Sequence, residues 1–319
     1  MTRRDFLAAV GVAVAAPVDR AAAQQPPAFE IIDTHTHFYD PTRPQGVPWP
    51  AKTDPALYRP VYPAEFRALA RPLGVSGTVV VEASSWLEDN QWLLDLAARD
   101  PFLLGVVGNL APGRASFATE LARFSANPLF RGVRVNGATA FASEQVRRDL
   151  KRLADSDRAL DVLVSSAQLP AVAALAAAVP DLRIVVDHCA NVRLSGGPPA
   201  TEWLDGIRAL AGHRHVSMKV SGLVEGTGPR DGSAARDAAF YRATLDAVWE
   251  SFGEDRVLFA GNWPVSAPFA SYPQVVAIVR DYFAGKGRMA SEKYFAGNAR
   301  LVYKLPSLAA SVTPRERSR

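Results

Sequence analysis

From Phe29 onward the chain alternates between two spacings of apolar residues. Short runs rich in β-branched residues recur eight times: EIIDTHTH (30–37), TVVVEAS (78–84), LLGVVGNL (103–110), FRGVRVN (130–136), LDVLVSS (160–166), RIVVDHCA (183–190), VSMKVSG (216–222) and VLFAGNW (257–263). Most gaps hold Ala- and Leu-rich stretches at helical spacing, such as NQWLLDLAARD (90–100) and AAFYRATLDAVWESFG (238–253). Pro, Gly and Asn punctuate the joins. Nearly continuous apolar strands are buried on both faces, which is the habit of a parallel sheet covered by helices. Eight such units predict an α/β fold, a single-domain (β/α)8 barrel over residues 29–305. A doubly wound open sheet is the alternative. No Gly-rich phosphate loop follows the first strand, which argues against a nucleotide-binding sheet. The Pro-rich segments 41–63 and 191–201 are long for barrel loops and suit a lid or a contact between subunits.

Composition supports one large core: 48% of the 319 residues are hydrophobic. The net charge of +4 is spread thinly, and no basic stripe interleaves with aromatics, so nucleic acid is not an expected partner. Cys189 is the only cysteine, which rules out an internal disulfide. The N-terminus changes the picture of location. MTRRDFLAAVGVAVAAPVDRAAAQ joins Arg3 and Arg4 to a short apolar run and Ala21-Ala22-Ala23, and it resembles a twin-arginine export signal over residues 1–23. The run is too short to span a bilayer, which takes roughly 20 residues. Removing residues 1–23 takes away three arginines and two aspartates and leaves +3. The expectation is a periplasmic or secreted protein with a loose basic tail at 306–319.

Barrel enzymes work at the C-terminal ends of their strands. On the first strand His35 and His37 are two apart, so both point to one face, with Asp33 deeper on it. His188 ends the sixth. His-x-His at a strand end serves either as a metal clamp or as a pair of donors for a developing oxyanion, and the third strand-end histidine completes a set of His35, His37 and His188. His213 and His215 fall in a helix-to-strand turn on the opposite rim. Glu82, near the end of the second strand, is a candidate general base or the partner of Arg134 or Lys219. Arg134 and Asn136 share a face, as do Lys219 and Ser221; the cations suit a substrate carboxylate or a polarised carbonyl. Asp187 alternates away from His188 and is expected to face the helices. Trp86, Trp263 and Phe38 are candidate walls for a ring-shaped substrate.

Taken together, IDTHTHFYDP, RGVRVN, DHCAN, KVSG and FAGNWPV resemble the amidohydrolase superfamily, specifically its amidohydrolase-related (amidohydrolase 2) lactonase branch, over residues 30 to 304. That branch includes sugar-lactone hydrolases and 2-pyrone-4,6-dicarboxylate lactonase. The resemblance implies a distorted barrel, hydrolysis of a lactone or related bond and, in some members, one divalent metal. Two departures stand out. The fifth strand ends in Ser165 and Ser166 where many metal-dependent relatives carry histidine. Asn262 stands where relatives usually have an aspartate that takes a proton from the attacking water; an amide orients water or a carbonyl but is no base near neutral pH.

The resulting expectation is an exported hydrolase in which water attacks a lactone carbonyl, a substrate carboxylate being anchored by Arg134 or Lys219, with one Zn or Mn ion or none. A periplasmic binding protein or pseudoenzyme silenced by Asn262, and a non-oxidative decarboxylase, are the alternatives. The expected partners are a small molecule and a second copy of the chain, with no membrane span.

Overall fold

A computed structural model describes residues 29–306. The signal read at 1–23 and all but the first residue of the 306–319 tail lie outside the described residues. Eight strands form one parallel sheet in chain order: β1 (Ile31–Thr36), β2 (Val75–Val81), β3 (Leu103–Asn109), β4 (Phe130–Asn136), β5 (Ala159–Leu163), β6 (Ile184–Val186), β7 (Val216–Val220) and β8 (Val257–Phe259). Helices α1 (Pro63–Ala70), α2 (Asp89–Arg99), α3 (Phe117–Ser125), α4 (Glu144–Asp155), α5 (Leu169–Ala178), α6 (Thr201–Ala211), α7 (Ala238–Phe252) and α8 (Tyr272–Ala284) follow the strands in turn. Two short helices, α9 (Arg288–Glu292) and α10 (Asn298–Val302), end the described chain. This is the expected barrel; the open-sheet alternative falls because β1 and β8 come together. None of the described helices is long and apolar enough to cross a membrane.

The apolar residues divide into two layers. Val80, Val106, Val133, Leu160, Val186, Met218 and Phe259 point outward and pack beneath the helices. Ile32, Val79, Val81, Val107, Ala159, Val185 and Leu258 fill the lumen, which Ala299 and Tyr303 of the C-terminal segment plug from below. Period-two alternation assigns layers along β5, β6 and β7. β1 is bulged between Asp33 and Thr36, so Ile32, His35 and His37 all face inward, while Asp33 turns to Tyr272 of α8 and does not share the histidine face expected for it. By that parity Asp161, Asp187 and Lys219 all point inward, above the apolar plug.

The seam between β1 and β8 is closed differently from the other seven. Its only backbone pairing lies past β8, where Thr36 bridges Trp263 and the His37 amide donates to the Trp263 carbonyl at 2.9 Å. Below that, side chains take over. Thr34 Oγ1 donates to the Phe259 carbonyl at 2.7 Å. Asp33 accepts the amides of His35 and Gly261, each at 2.9 Å, and the Tyr272 hydroxyl at 2.9 Å. Gly261 is required there: a Cβ would lie 2.4 Å from an Asp33 oxygen.

Candidate active site

A cavity of about 510 Å³ opens at the C-terminal ends of the strands. His37, Glu82, Arg134, Asn136, His188 and Asn262 line it, as the sequence places them, together with Asn109, Asn191, Ser84 and Glu225. Pro48 and Trp49 of the first Pro-rich segment form part of the wall. Asn191 brings in the start of the second.

Five expected residues, Trp86, Trp263, Phe38, Lys219 and His35, stand outside the cavity wall. Trp86 is 38% exposed and lies outside the cavity wall, because the chain has left β2 by Ser84 and turned outward. Trp263 is buried and stacks among Phe38 and Phe66, with ring centroids 6.2 and 5.3 Å away; Phe38 itself packs there. Lys219 is fully buried below the cavity and cannot reach a substrate carboxylate. His35 is likewise beneath the wall rather than in it.

That lower layer is a charge cluster. Lys219 Nζ donates to Asp161 at 2.5 Å, lies 3.0 Å from Asp187, and donates to His35 Nδ1 at 3.1 Å. Tyr303 donates its hydroxyl to Asp161 at 2.9 Å. Burial raises the Asp161 carboxyl to about 6 against the pull of Lys219. Burial also opposes charge on Asp187, but Lys219 and His35 hold it well below the ordinary carboxylate value. Asp187 thus corrects the expectation that it faces the helices. It shares inward parity with Val185, and His188 reaches the site by another route. From His188 to Asn191 four consecutive residues have φ between 48° and 56°, a left-handed turn that ends β6 two residues earlier than read from sequence. Such backbone costs roughly 1–2 kcal/mol per non-glycine residue, so the surroundings must enforce it. Gly222 after β7 makes room for it, since a Cβ there would meet His188 Cβ at 2.6 Å.

The three site histidines form two arrangements. His37 Nδ1 donates to the Val81 carbonyl at 2.9 Å, which leaves its Nε2 as an acceptor 3.2 Å from His35 Nε2. With Lys219 donating to His35 Nδ1, the bonds assign the proton between the rings to His35, and both imidazoles are neutral. Burial pushes His37 down to about 3 and His35 well below its ordinary value. His188 bonds Ser221 through Nδ1 at 2.8 Å, and burial lowers it to about 4. His213 and His215 lie half-buried on the opposite rim.

The same atoms fit a divalent ion. His35, Asp187 and His188 each offer one ligand atom within 4.8 Å of the others, so Asp187 joins the expected set while His37 stands beside it. Both Asp187 oxygens are buried and accept no hydrogen bond. The 3.2 Å between the Nε2 atoms of His35 and His37 is close to the spacing of two nitrogens about 2.0–2.1 Å from one tetrahedral zinc. Moving the His35 proton to Nδ1, 3.4 Å from Asp187, would free both.

Glu82 and Arg134 face each other loosely. Arg134 Nε is 3.9 Å from Glu82 and 3.7 Å from Asp187, and this buried N–H has no hydrogen-bond partner. Burial raises the Glu82 carboxyl and Arg134 lowers it. The residue absent from the sequence reading is Glu225. It opens a short turn after β7 and accepts a hydrogen bond from Asn262 Nδ2 at 2.7 Å. Part of the residue reaches solvent, but its carboxyl is enclosed, and burial pushes it up to about 7. The available signal was one acid inside GLVEG, directly after a strand end.

With this geometry in hand, the known proteins fall into place. The family model described as Amidohydrolase matches residues 32–305. An L-fucono-1,5-lactonase of Burkholderia ambifaria is 32% identical over 285 residues, covering 86% of this chain and 95% of that protein. A crystal structure of an amidohydrolase from Burkholderia multivorans with bound HEPES superposes with a TM-score of 0.79 at 28% identity, over 86% of this chain and 99% of that one. A second crystal form of that amidohydrolase, with bound zinc, gives 0.78 at 27% over the same shares. The chain belongs to the amidohydrolase family. Within that superfamily it is a hydrolase of the lactonase branch.

Proposed function

We propose that this chain hydrolyses a neutral, polyhydroxylated lactone of the sugar-lactone class. The observation that carries the reading is the balance of the cavity wall. Four asparagines line it, Asn109, Asn136, Asn191 and Asn262. Asn191 donates to the Val164 carbonyl and Asn262 to Glu225, so these two turn their amide oxygens to a ligand, and neutral amides suit hydroxyl groups. Arg134 is the one permanent cation among the lining residues, and Glu82 and Asp187 already neutralise it. A carboxylated lactone would find no uncommitted positive charge, so that earlier expectation gives way. The similarity to L-fucono-1,5-lactonase supports the same substrate class.

In this reading the lactone carbonyl lies over the histidine layer. The unpartnered Arg134 Nε–H and, when Ser221 donates to its Nδ1, the His188 Nε2–H are the donors for the oxygen that becomes negative. Glu82 keeps Arg134 in place, and His37, tied to Val81, keeps the floor neutral. A divalent ion, where bound, would be held by His35, Asp187 and His188 and would act as a Lewis acid. We also propose export through the twin-arginine signature at 1–23, which cell fractionation with Arg3 and Arg4 replaced by lysine tests; retention of the variant inside the cell is the supporting result.

The test of function is release of acid from L-fucono-1,5-lactone and related sugar lactones, compared with 2-pyrone-4,6-dicarboxylate. Turnover of sugar lactones above their spontaneous opening is expected. Turnover of the dicarboxylate alone would replace the neutral-substrate reading, and strong binding without turnover would favour the pocket that has lost catalysis.

A further inference from the structure

We infer that Glu225 is the general base of this site and that Asn262 holds the attacking water for it. The inference rests on the lactone reading above and adds a catalytic residue to it. Four observations carry it.

First, Glu225 and Asn262 both line the cavity, on neighbouring strand ends, with Asn262 Nδ2 donating to Glu225 Oε1 at 2.7 Å. Second, that bond fixes the amide's orientation, and Asn262 Oδ1 is then a buried acceptor with no partner, on a residue only 5% exposed. A buried orphan acceptor costs about 1–3 kcal/mol, so it is a position where a donor is wanted. Water has two hydrogens, and here two acceptors stand side by side: the amide oxygen and the carboxylate.

Third, the turn carrying Glu225 is wedged. Gly226 donates to the Gly222 carbonyl at 3.0 Å and accepts from the Leu194 amide at 2.9 Å, and a Cβ on Gly226 would meet the Val192 carbonyl oxygen at 2.6 Å. The carboxylate is therefore presented by a braced loop rather than a mobile one. Fourth, its surroundings favour basicity. Asn262 is neutral, and Tyr241 on α7 is held protonated by burial. The other titratable groups of the wall are His37, Glu82, Arg134 and His188. Burial raises the Glu82 carboxyl too, but the Arg134 cation 3.9 Å away opposes that rise and is the group Glu82 faces. Glu225 has no such cation, and its carboxyl sits near neutrality, where a base works best.

The step balances as follows. A water oxygen lone pair forms a bond to the lactone carbonyl carbon as one water proton passes to Glu225, while the other stays on the water oxygen and is hydrogen-bonded by Asn262 Oδ1. The carbonyl π pair becomes the oxyanion. Its return breaks the ring C–O bond, and the proton on Glu225 moves to the departing alkoxide. Lactone and water become a hydroxy acid, and Glu225 is again a carboxylate.

Glu225→Gln tests this with little disturbance, because the glutamine oxygen still accepts from Asn262. We expect kcat to fall at least about 100-fold with KM within a few-fold, in the range that general bases contribute. The double variant E225Q/N262D restores a carboxylate one side chain away, and recovery of at least tenfold over E225Q is expected. An E225Q enzyme within about threefold of wild type overturns the inference. A second readout does not depend on turnover: the carboxyl resonance missing from carbon-13 spectra of labelled E225Q should titrate in wild type near 7 rather than at the ordinary 4.5. Wild type that opens no sugar lactone defeats the lactone reading alone. The comparison of E225Q with wild type is then made on whichever lactone wild type does open: a loss of at least about 100-fold upholds Glu225, and a value within about threefold overturns it.

Discussion

Two polar groups meet under one roof in this barrel, one fully buried and one in the cavity wall, and they are built on opposite plans. In the lower layer Lys219 serves Asp161, Asp187 and His35 at once, with Tyr303 completing Asp161. In the wall, Glu225 has one neutral partner and Asn262 keeps an acceptor unfilled. In the lower layer one lysine binds two carboxylates and a histidine, which braces the barrel, while the Asp187 oxygens keep room for an ion beside it. The wall leaves its valences for something that arrives from outside. Unfilled hydrogen-bonding positions, more than residue type, mark where the chemistry is expected.

Breaking the lower layer should have the largest effect. Lys219→Met leaves two inward carboxylates without their cation, and a loss of about 3–5 kcal/mol is expected from urea unfolding. If the variant keeps wild-type stability, the layer is not the brace described. Gly222→Ala comes next. It adds a Cβ 2.6 Å from His188 Cβ at a φ of +67°, and overpacking of that kind costs about 1–3 kcal/mol. A fall in kcat should accompany it as His188 shifts.

Acidity gives a finer test of the wall. The Glu225 carboxyl rises to about 7 in the folded chain from an ordinary 4.5. A base must be ionised, so activity should decline as pH falls through about 7. Stability runs the other way: the raised value favours the folded state below 4.5, and that advantage is lost as pH rises through 7. E225Q should therefore gain stability over wild type in melts at pH 8 and match it at pH 4. The smallest effect belongs to Trp86→Ala, outside the cavity: within about 0.5 kcal/mol in stability and about twofold in turnover. A large loss of turnover there would return Trp86 to the substrate wall.

Much of this was legible in the residues, and the failures have three separate physical causes. Apolar runs such as TVVVEAS and LLGVVGNL mark buried parallel strands, and parity along β4 puts Arg134 in the cavity; on β1 the His-x-His spacing holds, but a bulge turns Asp33 off the face that His35 and His37 share. Parity also puts Asp187 inward, but the reading started from His188 as though the strand continued. The chain leaves strand geometry there, and no local signal in DHCAN announces four left-handed residues. Lys219 was placed at the mouth because strand ends were read without depth; β7 stops one residue later, yet its lysine lies a full layer down. Glu225 was invisible for a third reason. It lies in a loop, where no period relates a residue to a face, and only the fold brings it to Asn262.

The side-chain seam between β1 and β8 carries one more consequence. Thr34 meets Phe259, and Asp33 meets Gly261 and Tyr272, across separations of 225 to 239 residues. Contacts that distant close last, because the entropy of a long loop must be overcome before they form. His37 stands on one side of the seam and Asn262 on the other. A chain emerging from the ribosome can thus assemble most of its strands and still own only half a pocket. Catalysis is born at the final stitch, which makes turnover a reporter of completed folding.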